Sequence, residues 1–279
     1  MIQLDGLARN YGHGKIALDS ITETLDNGII SIIGKNGAGK TTLLRILSTQ
    51  LKPSSGDAYI DGISVFKKPE LIRSKIVSIP QEAAPIGILT AYEQVFMYLT
   101  ARGFSFHSAK AEAIMALKRI GLDDSMNVPT DELSGGMKRK MFVAMALASN
   151  ADTVFLDEPT TGLDPLSRME AWSAIKELSG NVLLTTHYME EATELSSKIY
   201  MMDSGHIIGS GSAEELLLPL KGMVRIESRE KMDHSYRIGN MYISYVDEND
   251  VSKYNEKYFS IKKVSIEDLF IIKGVFLEY

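Results

Sequence analysis

Gly34-Lys35-Asn36-Gly37-Ala38-Gly39-Lys40-Thr41 follows directly on the apolar run Ile29-Ile30-Ser31-Ile32-Ile33. The first stretch fits the pattern G-x-x-x-x-G-K-S/T, and the apolar run is typical of a buried parallel strand. Glycines at these positions let successive backbone N–H groups point into one concavity, and a helix that begins at Lys40 adds the positive end of its dipole. The sequence therefore predicts a strand, a phosphate-binding loop and a helix in direct succession.

The loop residues have predicted roles in binding a nucleotide. We expect Lys40 to reach the β- and γ-phosphates and Thr41 to ligate Mg²⁺. An ordinary glycine-rich turn is the alternative interpretation, and the strand before the loop argues against it. The residues predicted to contact the nucleotide here are Gly34, Asn36, Gly37, Ala38, Gly39, Lys40, Thr41 and Thr42.

The composition narrows the class of protein. A chain of 279 residues can hold one large α/β domain and a small appendage. Its net charge of −6 argues against a nucleic-acid partner, and the absence of cysteine leaves no disulfide framework and suits a reducing cytoplasm. Residues 1–5 lack the features of a signal peptide, and runs such as 141–148 are shorter than the roughly 18 residues of a spanning helix. We expect the chain itself to be soluble.

A helical insert interrupts the predicted sheet. Thr90-Ala91-Tyr92-Glu93 is typical of a capping box, and residues 108–120 have the pattern of an amphipathic helix that Gly121 ends. Apolar strands at 153–156 and 182–186 then resume the core. We predict an α/β fold: a P-loop core with a mostly parallel sheet, an antiparallel β subdomain, a helical insert at about 86–150, and a small α+β appendage at 222–279.

Two acidic residues follow the strand at 153–156. Carboxyl ends of strands are where α/β sheets place their ligands, so Asp157 suits Mg²⁺, through water, and Glu158 suits polarising an attacking water. A solvated turn also carries paired acids, so the pattern is weak by itself. Together with the phosphate-binding loop it predicts a site that hydrolyses a nucleotide.

Leu133-Ser134-Gly135-Gly136 completes a set of motifs that resembles the nucleotide-binding subunit of an ATP-binding cassette (ABC) transporter. The resemblance covers about residues 1–215, which we assign to a nucleotide-binding domain spanning 1–221, and it is much weaker in the accessory region at 222–279. Residues 265–270 resemble the closing helix of some exporter-type subunits. The motifs occur in the family's order: the phosphate-binding loop, Gln81, Leu133–Gly136, Leu156-Asp157-Glu158-Pro159-Thr160, Gly162-Leu163-Asp164 and Thr186-His187.

The resemblance implies a second anion site at the start of a helix. Ser134, Gly135 and Gly136 would cap the γ-phosphate of ATP held by the loop of another subunit, so that ATP is buried between two head-to-tail cassettes. Met137 stands where the family most often has glutamine. Because the implied contacts come from Ser134 and backbone N–H groups, this departure does not abolish capping.

Four further residues acquire roles from the resemblance. His187 would sense the γ-phosphate and, with Glu158 and Gln81, complete the catalytic set; Gln81 would also contact Mg²⁺ or water, beside Thr41 and Asp157. Tyr11 would stack on adenine, and Asp164 would cross the dimer interface. Each has a plainer alternative: a structural histidine, a polar strand end, a loop tyrosine and a turn residue.

The implied function is ATP hydrolysis, with Mg²⁺, that drives a transporter from the cytoplasmic face of the membrane. Separate transmembrane permease subunits would dock on the helical insert, and the second cassette would be an identical or a different chain. A soluble cassette ATPase acting on ribosomes or DNA remains an alternative, although it would be expected to carry two cassettes or a long coiled coil, and a basic surface. A P-loop kinase or GTPase would leave Ser134 and His187 without a role. The substrate is not encoded in these motifs.

Overall fold

The computed structural model of the protein describes residues 1–12, 14–254 and 259–274. The chain forms two compact units, Met1–Ile208 and Gly209–Tyr279. The strands are β1 (Ile2–Asn10), β2 (Ile16–Leu25), β3 (Ile29–Ile33), β4 (Ser55–Ile60), β5 (Ile63–Ser64), β6 (Ile76–Ile79), β7 (Thr153–Asp157), β8 (Asn181–Thr186), β9 (Lys198–Asp203), β10 (His206–Gly211), β11 (Met223–Ser228), β12 (Tyr236–Ile238), β13 (Met241–Asp247) and β14 (Ser260–Lys263). The helices are α1 (Lys40–Leu47), α2 (Pro69–Lys75), α3 (Ala91–Ala101), α4 (Phe106–Arg119), α5 (Gly135–Ser149), α6 (Pro165–Lys176), α7 (Met189–Leu195), α8 (Ala213–Leu217) and α9 (Ile266–Ile272).

The central sheet has the strand order β10-β9-β3-β8-β7-β6. Strand β3 pairs in parallel with β8 and β9, and β7 pairs in parallel with β6 and β8. Side chains alternate between the two faces: Val154 and Leu156 pack against the helices of the insert, whereas Phe155 packs on the side of α1. A sheet covered on both faces explains why its strands read as continuous apolar runs. The predicted mostly parallel core is confirmed.

An antiparallel sheet with the order β2-β1-β4-β5 forms the predicted β subdomain. The run Pro53-Ser54-Ser55-Gly56-Asp57 has the composition of a loop, but β4 already begins at Ser55, which pairs with Ala8 of β1. Gly56 has φ +74°, and a Cβ there would lie 2.2 Å from the carbonyl oxygen of Gly6. The glycine thus allows a bulged strand where the sequence suggested a turn.

Helices α3, α4 and α5 lie within the predicted insert. The capping box of α3 is confirmed, since Thr90 Oγ1 accepts from Glu93 N at 3.1 Å and Glu93 Oε2 accepts from Thr90 N at 2.8 Å. Helix α4 begins at Phe106 rather than at Ser108, because Ser105 is the N-cap and accepts from Ser108 N at 3.1 Å. The predicted start was therefore wrong by two residues, about half of a helical turn.

The second unit contains the sheet β12-β13-β11-β14 and helix α9. The sequence placed the accessory region at 222–279, and that boundary stays a prediction; the compact second unit runs from Gly209, and within it α8 packs against α9. The sequence over 258–261 is typical of a short strand, and β14 begins at Ser260; residue 258 lies outside the described residues. Among the described residues, no helix combines the length and the apolar character needed to cross a membrane.

Candidate active site

The phosphate-binding loop connects β3 to α1, and two of its glycines are required by close packing. A Cβ on Gly34 would lie 2.2 Å from the carbonyl oxygen of Met202, and one on Gly39 would lie 2.3 Å from that of Ala17. Gly39 also adopts φ +108°, which disfavours any residue with a side chain. The loop can therefore follow this path over the first turn of α1 only with glycine at both positions.

Lys40 lies at the start of α1 with its ammonium group buried inside the loop. Its Nζ donates to the carbonyl oxygens of Gly34 at 2.7 Å and Lys35 at 3.2 Å, and lies 3.7 Å from Glu158 Oε1. Burial lowers the pKa of Lys40, and the charges of Glu158 and Asp157 oppose that shift. These oxygen atoms hold the ammonium group beside the nucleotide cavity, and its contact with phosphates stays a prediction.

Asp157 ends β7 and is held by two hydroxyl groups. Its Oδ1 accepts from Thr185 Oγ1 at 2.5 Å and from Thr41 Oγ1 at 3.1 Å. The described residues contain no group of three or more His, Cys, Asp or Glu side chains arranged to hold a metal. Hard oxygen donors from Thr41 and Asp157, too few to enclose a cation, fit Mg²⁺ that completes its shell with phosphate oxygens and water.

Glu158 has an unusual backbone and a buried side chain. Its φ is +51°, a left-handed conformation, and the residue is 4% exposed. Its Oε2 contacts His187 Nδ1 at 2.5 Å and accepts from Thr161 Oγ1 at 3.0 Å. Left-handed non-glycine residues concentrate at functional sites, because the surrounding structure has to maintain them.

A cavity of about 480 Å³ brings most of the predicted site residues together. Tyr11 lies at its edge, 45% exposed, with its hydroxyl 3.3 Å from Thr42 Oγ1 and the guanidinium of Arg9 4.8 Å from its ring centroid. Adenine stacking by Tyr11 stays a prediction. The predicted residues that line this cavity are Tyr11, Asn36, Gly37, Ala38, Gly39, Lys40, Thr41, Thr42, Gln81, Glu158 and His187.

The other predicted contacts lie outside this cavity. Ser134 and Gly135 are exposed, and Ser134 Oγ accepts from Met137 N at 3.2 Å as the N-cap of α5. Asp164 is the N-cap of α6, where hydrogen bonds from Ser167 lower its pKa. Gly135 lines a second cavity of about 740 Å³, which Gln81 also borders. Within one chain Ser134 and Asp164 act as helix caps, and their predicted roles across a dimer interface stay predictions.

Three residues of the site were not predicted from the sequence. Arg139 of α5 donates to the backbone carbonyls of the loop that carries Glu158. Thr161 contacts the Glu158 carboxylate, and Glu191 accepts from Thr160 Oγ1 at 2.6 Å. The sequence does contain an indication of the role of Arg139. It lies one helical turn from Phe142 and Val143, on the apolar face of α5, and a charged residue on that face needs buried partners.

Comparison with known proteins decides the family. A sequence profile of the ABC transporter family matches residues 18–161 of the chain. The chain belongs to the ABC transporter family. The daunorubicin resistance ATP-binding protein DrrA3 of Streptomyces coeruleorubidus is 37% identical over 219 residues, which cover 77% of this chain and 69% of that protein. A doxorubicin resistance ATP-binding protein of Mycobacterium tuberculosis is 38% identical over 220 residues, 77% of this chain and 66% of that one.

More distant relatives share the cassette. The retinal-specific phospholipid-transporting ATPase of Mus musculus is 36% identical over 202 residues, which cover 71% of this chain and 9% of that protein. Among solved structures, a dimeric ATP-binding cassette in a post-hydrolysis state with ADP and Pi is similar at a TM-score of 0.69. It has 29% identity, and the similarity covers 76% of this chain and 98% of that one. The chain spans about two thirds of the length of the two bacterial relatives.

The family fixes the biochemical class. The chain is the ATP-binding subunit of an ABC transporter and hydrolyses ATP, as the sequence predicted. Cassettes of this family dimerise and work with transmembrane subunits. The relatives named above are drug-resistance ATP-binding proteins and a phospholipid-transporting ATPase, which favours the transporter over the alternative of a soluble ATPase on ribosomes or DNA.

Proposed function

We propose that two copies of this chain close on two ATP molecules, and that Glu158 polarises the attacking water in each site. The observation that carries the proposal is the placement of Glu158: its buried carboxylate contacts Lys40, His187 and Thr161 beside the cavity that the phosphate-binding loop lines. A carboxylate held within reach of the γ-phosphate site can accept a hydrogen bond from water in line with the bond to be broken.

Each side chain has a defined part in the reaction. The water oxygen attacks the γ-phosphorus while Glu158 accepts its hydrogen bond, and the bond to the β–γ bridging oxygen breaks with its electron pair passing to ADP. Lys40 supplies positive charge to the β- and γ-phosphates, and His187 contacts the γ-phosphate from the same cavity. Thr41 and Asp157, with Gln81, would hold Mg²⁺, which when bound supplies further neutralisation of phosphate charge.

A second chain completes the site. The Ser134, Gly135 and Gly136 motif begins α5 outside the nucleotide cavity. Ser134 and Gly135 are exposed, so they are accessible to the γ-phosphate bound by another copy. Because one chain carries both Glu158 and this motif, a symmetric homodimer would contain two complete sites. Asp164 would lie at the interface of the two copies.

We propose that the cassette drives export of an amphipathic compound through separate transmembrane permease subunits at the cytoplasmic face of the membrane. Support comes from the relatives' names, which refer to daunorubicin and doxorubicin resistance and to phospholipid transport. The helical insert presents large apolar side chains to solvent, with Ile88 83% and Phe106 77% exposed. Such a surface suits a protein partner.

The test is the substitution Glu158→Gln, which keeps the size of the side chain and removes its charge. We expect ATP to stay bound while hydrolysis falls at least ~100-fold. ATP that binds the closed dimer alone stabilises it by about RT ln(1 + [L]/Kd), so saturating ATP should convert this variant from monomer to dimer, and ADP should not. Light scattering with each nucleotide measures the state.

Two further variants serve as controls. Glu190→Gln changes an exposed carboxylate that lies outside the nucleotide cavity and should hydrolyse ATP like the wild type. Adding Ser134→Arg to Glu158→Gln should block the ATP-dependent dimer, because the larger side chain occupies the position of the γ-phosphate contact. A dimer with both nucleotides would contradict ATP-driven closure, and a monomer with both would indicate a different cassette as partner.

A further inference from the structure

Arg139 connects α5 to the loop that carries Glu158. It is 9% exposed, and its Nε donates to Pro159 O at 2.7 Å, while Nη2 donates to Glu158 O at 2.5 Å and Asp157 O at 3.2 Å. A guanidinium group presents its donors in a fixed plane, so three consecutive carbonyls bound to one group have their relative orientation fixed.

The same guanidinium also reaches the segment of Gln81. Arg139 Nη1 donates to Gln81 O at 3.3 Å. The buried guanidinium of Arg139 therefore binds the backbone of both Glu158, which is proposed to polarise the attacking water, and Gln81, which is proposed to contact Mg²⁺. Burial lowers the pKa of Arg139, and the charges of Asp157, Glu191 and Glu158 oppose that shift.

The backbone at Glu158 needs such support. Its left-handed φ of +51° is unfavourable for a residue with a side chain, and Pro159 after it restricts Glu158 further and offers no N–H to close a regular turn. Glu158 N donates to Thr185 O at 3.1 Å, which holds one side of the residue. The carbonyl side is held by Arg139, and the direction of the Glu158 carboxylate depends on both.

We propose that Arg139 is a positioning residue for ATP hydrolysis: it holds Glu158 in the left-handed turn that aims the carboxylate into the nucleotide cavity. Because Arg139 lies in the helix that begins at Ser134, the helix that would cap ATP on the partner also sets the geometry of Glu158 in its own chain. The inference rests on the proposed role of Glu158.

Arg139→Ala removes all four hydrogen bonds while leaving the phosphate-binding loop untouched. We expect kcat to fall by about 10- to 100-fold, because displacements near 1 Å at a reacting group have effects of this size. The ATP dissociation constant should change by less than about twofold, since none of the four acceptors belongs to residues 34–42. ATP turnover and isothermal titration calorimetry on the full chain measure both.

The matched control is Lys140→Gln. Lys140 is the next residue of α5, is equally buried and pairs with Glu170 Oε2 at 2.6 Å, outside the nucleotide cavity. It should lower the melting temperature about as much as Arg139→Ala and leave kcat within about twofold of the wild type. Guanidinium ion at millimolar concentration should restore part of the kcat of Arg139→Ala and have no such effect on Lys140→Gln.

A double-mutant cycle separates positioning from a general structural role. If Arg139 acts through Glu158, Arg139→Ala should lower the residual turnover of Glu158→Gln by less than about threefold. Equal fold-losses in both backgrounds, or a wild-type kcat in Arg139→Ala, would overturn the proposal. If Arg139→Ala does not fold, Arg139→Lys decides: it keeps the charge and lacks the fork, so an unchanged kcat overturns the proposal and at least a fivefold loss with unchanged ATP affinity supports it.

Failure of this inference differs from failure of the proposed function. Wild-type turnover in Glu158→Gln would refute the role of Glu158 itself. Loss of turnover in Glu158→Gln, combined with a wild-type kcat in Arg139→Ala, would leave the proposed function standing and refute the role of Arg139 alone.

Discussion

Glu158 in the first unit and Asp268 in the second are both carboxylates buried beside a cation, and their surroundings differ. Asp268 Oδ1 accepts from Arg225 Nη1 at 3.0 Å and Tyr245 OH at 2.9 Å, and its Oδ2 accepts from Ser265 N at 2.7 Å and Ser265 Oγ at 3.2 Å. These partners lie in the strands of one sheet and the cap of α9. We call Asp268 and these partners the closed group, because each contact is within the protein and no cavity adjoins it among those described, and we infer that its role is structural.

Glu158 has partners of another kind. They come from three separate loops and helix ends, the Lys40 contact of 3.7 Å is longer than a hydrogen bond, and a cavity of about 480 Å³ lies alongside. Its backbone is left-handed, whereas Asp268 belongs to a regular helix. A buried ion pair by itself does not indicate function. Function is indicated by an adjoining cavity, by partners that a ligand can replace, and by a backbone held away from its preferred conformation. Glu158 and its partners have all three, and we call them the open group.

The largest expected effect comes from removing the cation of the open group. Lys40→Ala removes the charge-assisted hydrogen bonds to two phosphates, worth roughly 1.5 to 3 kcal/mol each, so we expect the ATP dissociation constant to rise at least ~100-fold. The control is Lys35→Ala, in the same loop, where Lys35 pairs with Asp203 at 3.3 Å. It should change the ATP dissociation constant by less than about threefold. Calorimetric titration measures both, and equal losses would refute a specific role for Lys40.

Breaking the closed group should act on stability and leave ATP binding intact. Asp268→Asn leaves Arg225 with Glu227 as its one remaining buried anion among the described residues, and a broken buried pair costs up to about 3 to 5 kcal/mol. We expect an early unfolding transition in circular dichroism, with ATP affinity within about twofold of the wild type. The control is Glu267→Gln at the neighbouring, less buried position. A large loss of ATP affinity in Asp268→Asn would contradict the purely structural role of Asp268 and its partners.

The sequence predicted the parts of the fold that have a periodic or positional signature. Apolar runs identified β3, β7 and β8, and the pattern of the phosphate-binding loop placed Lys40 and Thr41 in one cavity with Glu158. The start of α4 was misplaced because Ser105 and Ser108 are equally good caps, and tertiary contacts decide between them.

Other features could not be predicted from a single chain. The apolar face of α5 indicates that Arg139 has buried partners, but those partners are backbone carbonyls, which every residue has, so the sequence does not identify them. The second unit, from Gly209, includes the packing of α8 against α9, which are far apart along the chain. The cross-subunit roles of Ser134 and Asp164 remain predictions, because in one chain both residues are helix caps.

The smallest expected effect concerns Glu191, a buried carboxylate that makes no salt bridge among the described residues. It is 0% exposed and accepts from Thr160 Oγ1 at 2.6 Å and Trp172 Nε1 at 3.1 Å. Burial raises its pKa above the usual 4.5. The folded state thus favours the protonated acid, so its contribution to stability is present at acidic pH and is lost as pH rises through the folded pKa.

Glu191→Gln should therefore stabilise the first unit by up to about 1 kcal/mol at neutral pH, because it removes a buried charge and keeps an oxygen acceptor for both donors. The gain should shrink as pH falls below the raised pKa of Glu191, where the wild-type carboxyl is itself protonated. Trp172 is the single tryptophan of the chain and donates to this carboxylate, so its fluorescence during urea unfolding at several pH values reports the difference. A difference that is constant across pH would show that packing rather than charge governs this site, and Glu191 would then belong with the closed group.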